Sequence, residues 1–260
     1  MTKRFSGRVA LVTGGASGIG KVAAQIFARE GAKVIVSTDA NIKGGEETVN
    51  LIKDAGGEAT FVKCDVSRAA EVEAMVDKCV SLYGRLDYAF NNAGIGPDGK
   101  RVPVVNIVDC PEEVWDRTIA INLKGVFLCM KYEMKQMFQQ KYGVIVNTSS
   151  VGALKPVPGF CAYNASKSGL LGLTKTGALE GATSGIRVNT ILPGPTERTL
   201  LFDYLTGAEP GIKQQMASMI PMKRVAKPED MAEAVMWLCS DAASFITGHV
   251  MPVDGGMTSQ

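Results

Sequence analysis

Histidine is nearly missing from this chain of 260 residues, where His249 stands alone near the C-terminus. That scarcity excludes His-cluster metal centres and leaves any serine or cysteine nucleophile a single possible histidine base. Cysteine pairs are missing too. The six cysteines, at 64, 79, 110, 129, 161 and 239, include no Cys-x-x-Cys and are too few for a disulfide scaffold. They read as small buried hydrophobes in a reducing, cytoplasmic setting. No run of Lys and Arg exceeds two residues, and 28 basic against 26 acidic side chains leave a charge of +2. A nucleic-acid partner is therefore not expected. No apolar run nears the ~20 residues that span a bilayer, and the basic N-terminus meets only a short apolar run before its glycines. Neither a membrane partner nor a secretory signal is expected.

What is present is a rhythm. Short β-branched runs predict strands over Val9–Thr13, Lys33–Ser37, Ala59–Cys64, Leu86–Phe90, Val144–Thr148, Arg187–Leu192 and Val250–Val253. Apolar spacings of three and four predict helices over Ile19–Glu30, Lys43–Ala55, Ala69–Tyr83, Glu113–Gln139, Ala162–Thr183 and Glu229–Cys239. Such alternation, without linkers or repeats, implies α/β architecture: one doubly wound domain over residues 1–260, about seven parallel strands with helices on both faces. One segment breaks the rhythm. Prolines and glycines interrupt the chain from Pro193 to Pro228, and residues 195–227 become a candidate substrate-binding lid, with a packed surface excursion as the plainer alternative.

The first strand runs straight into Thr13-Gly-Gly-Ala-Ser-Gly-Ile-Gly20. Gly14 permits the sharp turn, Gly18 lets backbone approach a pyrophosphate, and Gly20 lets the helix pack closely; Ser17 and Ile19 complete this turn. The helix N-terminus then offers free N–H groups to phosphates. The second strand leads to Asp39, whose carboxylate suits the adenosine ribose hydroxyls and repels a 2′-phosphate. No Arg or Lys stands in the glycine turn or within two positions of Asp39, so NAD is expected rather than NADP. A helix N-cap is the competing role for Asp39, and Thr38 competes for the ribose.

With histidine nearly absent, another group must exchange a proton with an alcohol. On a helix, residues four apart share a face, so Lys167 lies below Tyr163. A cation there lowers a phenol's pKa, and Tyr163 becomes the acid/base candidate. Ser150, at the carboxyl edge of the fifth strand, offers a hydroxyl to the substrate oxygen.

With these motifs in place the chain resembles the short-chain dehydrogenase/reductase family from Gly7 to Gly256, which implies a Rossmann-like fold. The resemblance rests on Thr13–Gly20, Asp65-Val66, Asn91-Asn92-Ala93-Gly94, Asn122, Ser150, Tyr163-x-x-x-Lys167 and Pro193-Gly194. It implies that Asp65 and Val66 hold the adenine, and that Asn92, Ala93, Gly94, Pro193, Gly194 and Thr196 line the cofactor. Ser150 would polarise the substrate oxygen, with Ser149 its adjacent competitor. Tyr163 would move the proton, Lys167 would tune it and bind ribose, and Asn122 would kink the long helix and position a water. The chain departs from the family at Arg198, where many relatives place Thr; Thr199 or Arg198 completes the carboxamide site, or Arg198 is simply exposed.

The expected activity is NAD-dependent interconversion of a secondary alcohol and a ketone, with Phe160, Cys161, Ile95 and Gly96 as pocket walls. The mostly apolar segment Leu200-Leu201-Phe202-Asp203-Tyr204-Leu205, followed by Met216, Met219 and Ile220, points to a hydrophobic or cyclic substrate. A 3-oxoacyl-carrier-protein reductase using NADPH and an idle NAD-binding regulator are the alternatives. The resemblance further implies a homotetramer, then a dimer. The ending Gly255–Gln260 resembles tails that bind magnesium between subunits, although a disordered tail is the simpler expectation and no metal is assigned.

Overall fold

Residues that are β-branched and buried on both sides can only sit inside a sheet covered twice. The computed structural model describes residues 3–98, 102–207 and 209–260, so residues 99–101 and residue 208 of the expected lid lie outside the described residues. In it β1 (Val9–Thr13), β2 (Lys33–Thr38), β3 (Glu58–Lys63), β4 (Tyr88–Asn91), β5 (Gly143–Thr148), β6 (Ile186–Pro193) and β7 (Val250–Val253) form one sheet. The order is β3-β2-β1-β4-β5-β6-β7, all parallel. Leu11 faces Ile35 on one side and Ala89 on the other. The chain direction across the sheet reverses between β1 and β4, where open α/β sheets leave a crevice at their carboxyl ends.

Alternate residues divide the core in two. Ala10, Val12, Val36 and Phe90 pack beneath α1 (Gly18–Arg29) and α9 (Pro228–Cys239), through Phe27 and Met231 among others. Leu11, Ile35, Ala89 and Ile145 pack against α3 (Ala69–Tyr83), α5 (Gly125–Gln140) and α6 (Cys161–Gly181) on the other face. Leu11 is fully buried, so truncating it to alanine should cost about 2–5 kcal/mol. The helix α2 (Ile42–Asp54) flanks β2 and β3. Among the described residues no helix is long and apolar enough to cross a membrane.

Two expectations need correction, and a third, the kink of the long helix at Asn122, takes a definite form. The long helix expected over Glu113–Gln139 is α4 (Glu112–Ile119), a five-residue π turn over Ala120–Lys124, and α5. The local pattern is helical throughout; the widening comes from Asn122, whose buried side chain bonds the backbone of Ile95 at both N and O, 2.8 Å each. The fourth strand begins at Tyr88, not Leu86. The amide side chain of Gln140 occupies both the N–H and the carbonyl of Leu86, at 2.8 and 2.7 Å, in place of a neighbouring strand. The Pro- and Gly-rich stretch, in turn, is helical. Within it lie α7 (Leu200–Thr206), capped by Thr199, and α8 (Pro210–Met219), which starts on a proline.

Candidate active site

The glycine turn is built around one hydroxyl. The buried Thr13 Oγ1 accepts hydrogen bonds from the backbone N–H of Asn92, 3.0 Å, and of Ala93, 3.1 Å. The turn after β1 and the turn after β4 are thereby held as one unit. Gly18 has φ +52, and a Cβ there would sit 3.3 Å from Arg198 O and the Thr199 methyl. At Gly20 a Cβ would lie 2.7 Å from Asn92 Nδ2 and still closer to Gly14 O. Bare backbone is thus required where α1 leaves the sheet edge, with exposed Ser17 and half-buried Ile19 beside it. This is a surface of unshielded N–H groups suited to phosphate.

Asp39 follows β2 with its side chain exposed. It is not a helix cap, because Asn41 Oδ1 accepts from Gly44 N, 3.0 Å, at the start of α2. Thr38 is the last residue of β2. Asp65 is partly committed: its Oδ1 accepts from Ser67 N and Oγ, 3.0 and 2.7 Å, and Arg68 stands at 3.4 Å. Burial pushes its pKa up, yet the Ser67 hydrogen bonds and the Arg68 charge outweigh that and hold it below the usual value. Val66 is buried against Gly125.

Tyr163 and Lys167 project from α6 toward the same edge. The Lys167 ammonium lies 5.8 Å from the centre of the Tyr163 ring and donates to Thr148 O at 2.8 Å. Burial lowers its pKa to about 8. The expected lowering of the Tyr163 pKa by Lys167 does not appear: burial raises the phenol, and only its hydrogen bond with Ser150 pulls it down. The ammonium is turned to Thr148 rather than to the phenol oxygen, which accounts for the difference. Ser150 Oγ also accepts from Gly152 N, 3.1 Å. Ser149 is no longer a competitor, since its buried hydroxyl donates to Lys167 O at 2.7 Å and braces the helix.

Asn122 sits at the foot of this group. Besides Ile95, its Nδ2 reaches Ser166 Oγ at 3.2 Å, so its side chain is spent on structure. A π turn instead leaves main-chain carbonyls free of their ordinary partners. Gly94 is exposed, and a Cβ on it would lie 3.4 Å from Lys167 Nζ and 3.1 Å from Asn122 Oδ1.

On the substrate side, Phe160 meets Tyr163 edge-on with ring centroids 6.2 Å apart. Gly96, expected as a pocket wall, and Leu201 of the expected lid segment lie beside the tyrosine as well. A Cβ on Gly96 would come 3.3 Å from Tyr163 Cε2 and 3.5 Å from the Leu201 methyls. Leu201 of α7 and the Tyr163 ring therefore both border Gly96. The other apolar lid residues do not: Phe202 and Ile220 form a small core with Val225, while Leu200 is 66% and Met219 54% exposed. Thr196 Oγ1 donates to Gly194 O, 2.8 Å, and Thr199 Oγ1 to Thr196 O, 2.8 Å. Arg198, at φ +59, pairs with Glu229 at the surface, so Thr199 and not Arg198 directs a side-chain atom at the glycine turn. Gly255–Gln260 is ordered, with Lys155 Nζ donating to Met257 O and Gln260 O at 3.1 and 2.8 Å.

One group beneath the site had no place in the sequence reading. Glu133 is fully buried, and its Oε2 accepts from Asn91 Nδ2 at 2.9 Å, which also reaches Asn147 Oδ1 at 3.1 Å. Burial, against the pull of Asn91, raises its pKa to about 8. The signal was available: Glu133 falls between Met130, Met134 and Met137 on the buried face of α5.

Residues 14–258 match the family model described as enoyl-(acyl carrier protein) reductase. An uncharacterized oxidoreductase of Thermotoga maritima is 45% identical over 258 residues, covering 98% of this chain and 99% of that protein. Cyclohexanol dehydrogenase of an Acinetobacter species is 37% identical, covering 100% and 98%. The crystal structure of levodione reductase superposes with a TM-score of 0.90 at 33% identity, over 98% of this chain and 99% of that one.

Proposed function

The chain belongs to the short-chain dehydrogenase/reductase family, and we propose that it uses NAD to interconvert an alicyclic secondary alcohol and its ketone. The observation that carries this reading is the meeting of Ser150 Oγ and the Tyr163 ring around Gly152, 3.5 and 3.9 Å from where a Cβ there would sit, beside a buried Lys167 at the sheet edge that also carries the bare glycine turn. A protein that only senses nucleotide needs the turn but not that group.

The residues present fit a nicotinamide dinucleotide. Gly14, Ser17, Gly18, Ile19 and Gly20 would take the pyrophosphate, exposed Asp39 the adenosine ribose, and Asp65 and Val66 the adenine. Asn92, Ala93, Gly94, Pro193, Gly194, Thr196 and Thr199 would flank the rest. When bound, the cofactor supplies the hydride acceptor or donor. Ser150 donates to the substrate oxygen and fixes its position. Tyr163 removes the hydroxyl proton in oxidation and returns it in reduction. Lys167, anchored on Thr148 O and 3.4 Å from where a Cβ on Gly94 would sit, would bind the nicotinamide ribose. Asn122 holds the π turn against Ile95 and so sets the floor under Lys167.

Support for a cyclic, apolar substrate comes from Phe160, Gly96 and Leu201 around the tyrosine, and from the cyclohexanol dehydrogenase and levodione reductase relatives. The test is to mix the purified protein with NAD or NADP and a panel of cyclic, linear and sugar alcohols, following nicotinamide absorbance. Cyclic alcohols with NAD should lead, with kcat/KM for NADP lower by about a hundredfold or more, because Asp39 repels the 2′-phosphate. Preference for NADP, or for sugar alcohols, would overturn the assignment. We also propose assembly into a homotetramer, supported by exposed Phe127 and Phe138 on α5 and Leu179 on α6.

A further inference from the structure

A dinucleotide's pyrophosphate is doubly charged, yet the turn that would receive it, Thr13–Gly20, contains no Lys or Arg. Backbone N–H groups alone meet that charge within the turn. Lys21, the first cation of α1, is already paired with Glu47 at 2.7 Å. Another cation stands against the turn from the far side. A Cβ on Gly18 would lie 3.3 Å from Arg198 O, so the Arg198 backbone packs on the residue that keeps the phosphate path bare. Arg198 holds this place under strain. Its φ of +59 is one that residues with a Cβ rarely adopt, and its neighbours fix it: Glu197 N donates to Ala226 O at 2.9 Å, and Thr199 Oγ1 to Thr196 O at 2.8 Å.

The Arg198 guanidinium pairs with Glu229 in the first turn of α9, and both side chains are about half exposed. An exposed pair of this kind is worth little. The acids beside them have partners of their own, Glu197 with Lys213 at 2.6 Å and Asp230 with Arg224 at 2.7 Å. Glu229 would not be stranded without its arginine, because water and the N-terminus of its own helix both favour a carboxylate there. The planar fork of arginine, in contrast, matches phosphate oxygens, and hydrogen bonds between ions are the stronger kind.

We propose that Arg198 is a cofactor-binding residue that exchanges Glu229 for the pyrophosphate when a dinucleotide enters the glycine turn. The inference rests on the reading of that turn as a dinucleotide site. The backbone already packs on Gly18, so the exchange needs only rotation of the arginine side chain. Thr199, next in the chain, caps α7, whose Leu201 borders Gly96 beside Tyr163. The cation that grips the cofactor thus stands at the root of the substrate-side helix.

The test needs no turnover. ADP-ribose, which carries the pyrophosphate but no nicotinamide, is titrated into the wild type and its variants by calorimetry. Arg198→Ala should raise the Kd by about tenfold, the loss of a charge-assisted hydrogen bond. Arg198→Lys, which keeps the charge without the fork, should fall between the two. Glu229→Gln frees the guanidinium and should lower the Kd by about two- to threefold, while the double variant should bind like Arg198→Ala. Opposite shifts from the two halves of one ion pair mark an exchange; a surface brace would move both the same way. Melting temperatures without ligand should agree across the set. An unchanged Kd in Arg198→Ala, or a shift of Arg198→Ala and Glu229→Gln in the same direction, would overturn the proposal and leave the proposed function standing. A wild type that binds neither ADP-ribose nor NAD would overturn the dinucleotide reading and this inference together.

Discussion

The Tyr163 ring packs edge-on against Phe160, and removing the phenol oxygen leaves that packing untouched. Tyr163→Phe should therefore lower kcat by about 10²–10⁴-fold, the usual share of acid/base catalysis, with the Kd for NAD little changed in a calorimetric titration. Retained turnover would remove the tyrosine from the mechanism. The two buried ionisable groups beneath it carry opposite pH dependences. Between pH 4.5 and about 8 the native state keeps a proton on Glu133 that the unfolded chain releases, so stability falls as pH rises. From about 8 to 10.5 the unfolded chain keeps a proton on Lys167 that the native state gives up, so stability rises with pH. Each slope approaches about 1.4 kcal/mol per pH unit. Urea midpoints measured across this range should pass through a minimum near pH 8 in the wild type, and Glu133→Gln should flatten the lower limb. An unchanged limb would mean that Glu133 titrates normally.

Among the elements, the strand-turn-helix that opens the fold is the most constrained. Gly20→Ala forces a methyl against the Gly14 carbonyl, and the strain should cost about 1–3 kcal/mol. A lowered Tm, with loss of the further rise that NAD gives the wild type, is the expected melting result. This element was legible in the sequence because both its demands are local: the strand's apolar run and the glycine spacing lie within twelve residues. The same holds for β7 and α3, whose bounds agree with their patterns. What was not legible depended on distant partners. The late start of β4 is set by the Gln140 amide and the orientation of Lys167 by the Thr148 carbonyl; the break in the long helix, made by Asn122 on Ile95, was signalled by the resemblance alone. Glycines and prolines after β6 obscured two helices because they mark helix ends as readily as loops. Of the candidate site, the turn residues, Ser150, Tyr163, Lys167, Gly96 and Leu201 were readable from spacing, order along the chain and resemblance; the contact of Glu133 with Asn91 exists only in three dimensions.

For the molecule as a whole, the exposed apolar side chains on α5 and α6 bear on assembly. Phe127→Glu combined with Leu179→Glu places charge on both surfaces. Light scattering after gel filtration should show the wild type near four times the chain mass and the double variant smaller; a monomeric wild type would dismiss the proposed tetramer. The π turn at Ala120–Lys124 has a consequence of another kind. A wide turn holds one residue more than regular helix needs, so it behaves as a tolerated single-codon insertion. Deleting that codon would restore an unbroken helix while rotating everything upstream of it by about 100° relative to α5. α4 would then offer a different side to α6. The extra residue thus acts as a reading-frame marker for the surface, setting which face of one helix its surroundings meet while the other half stays in register with the core.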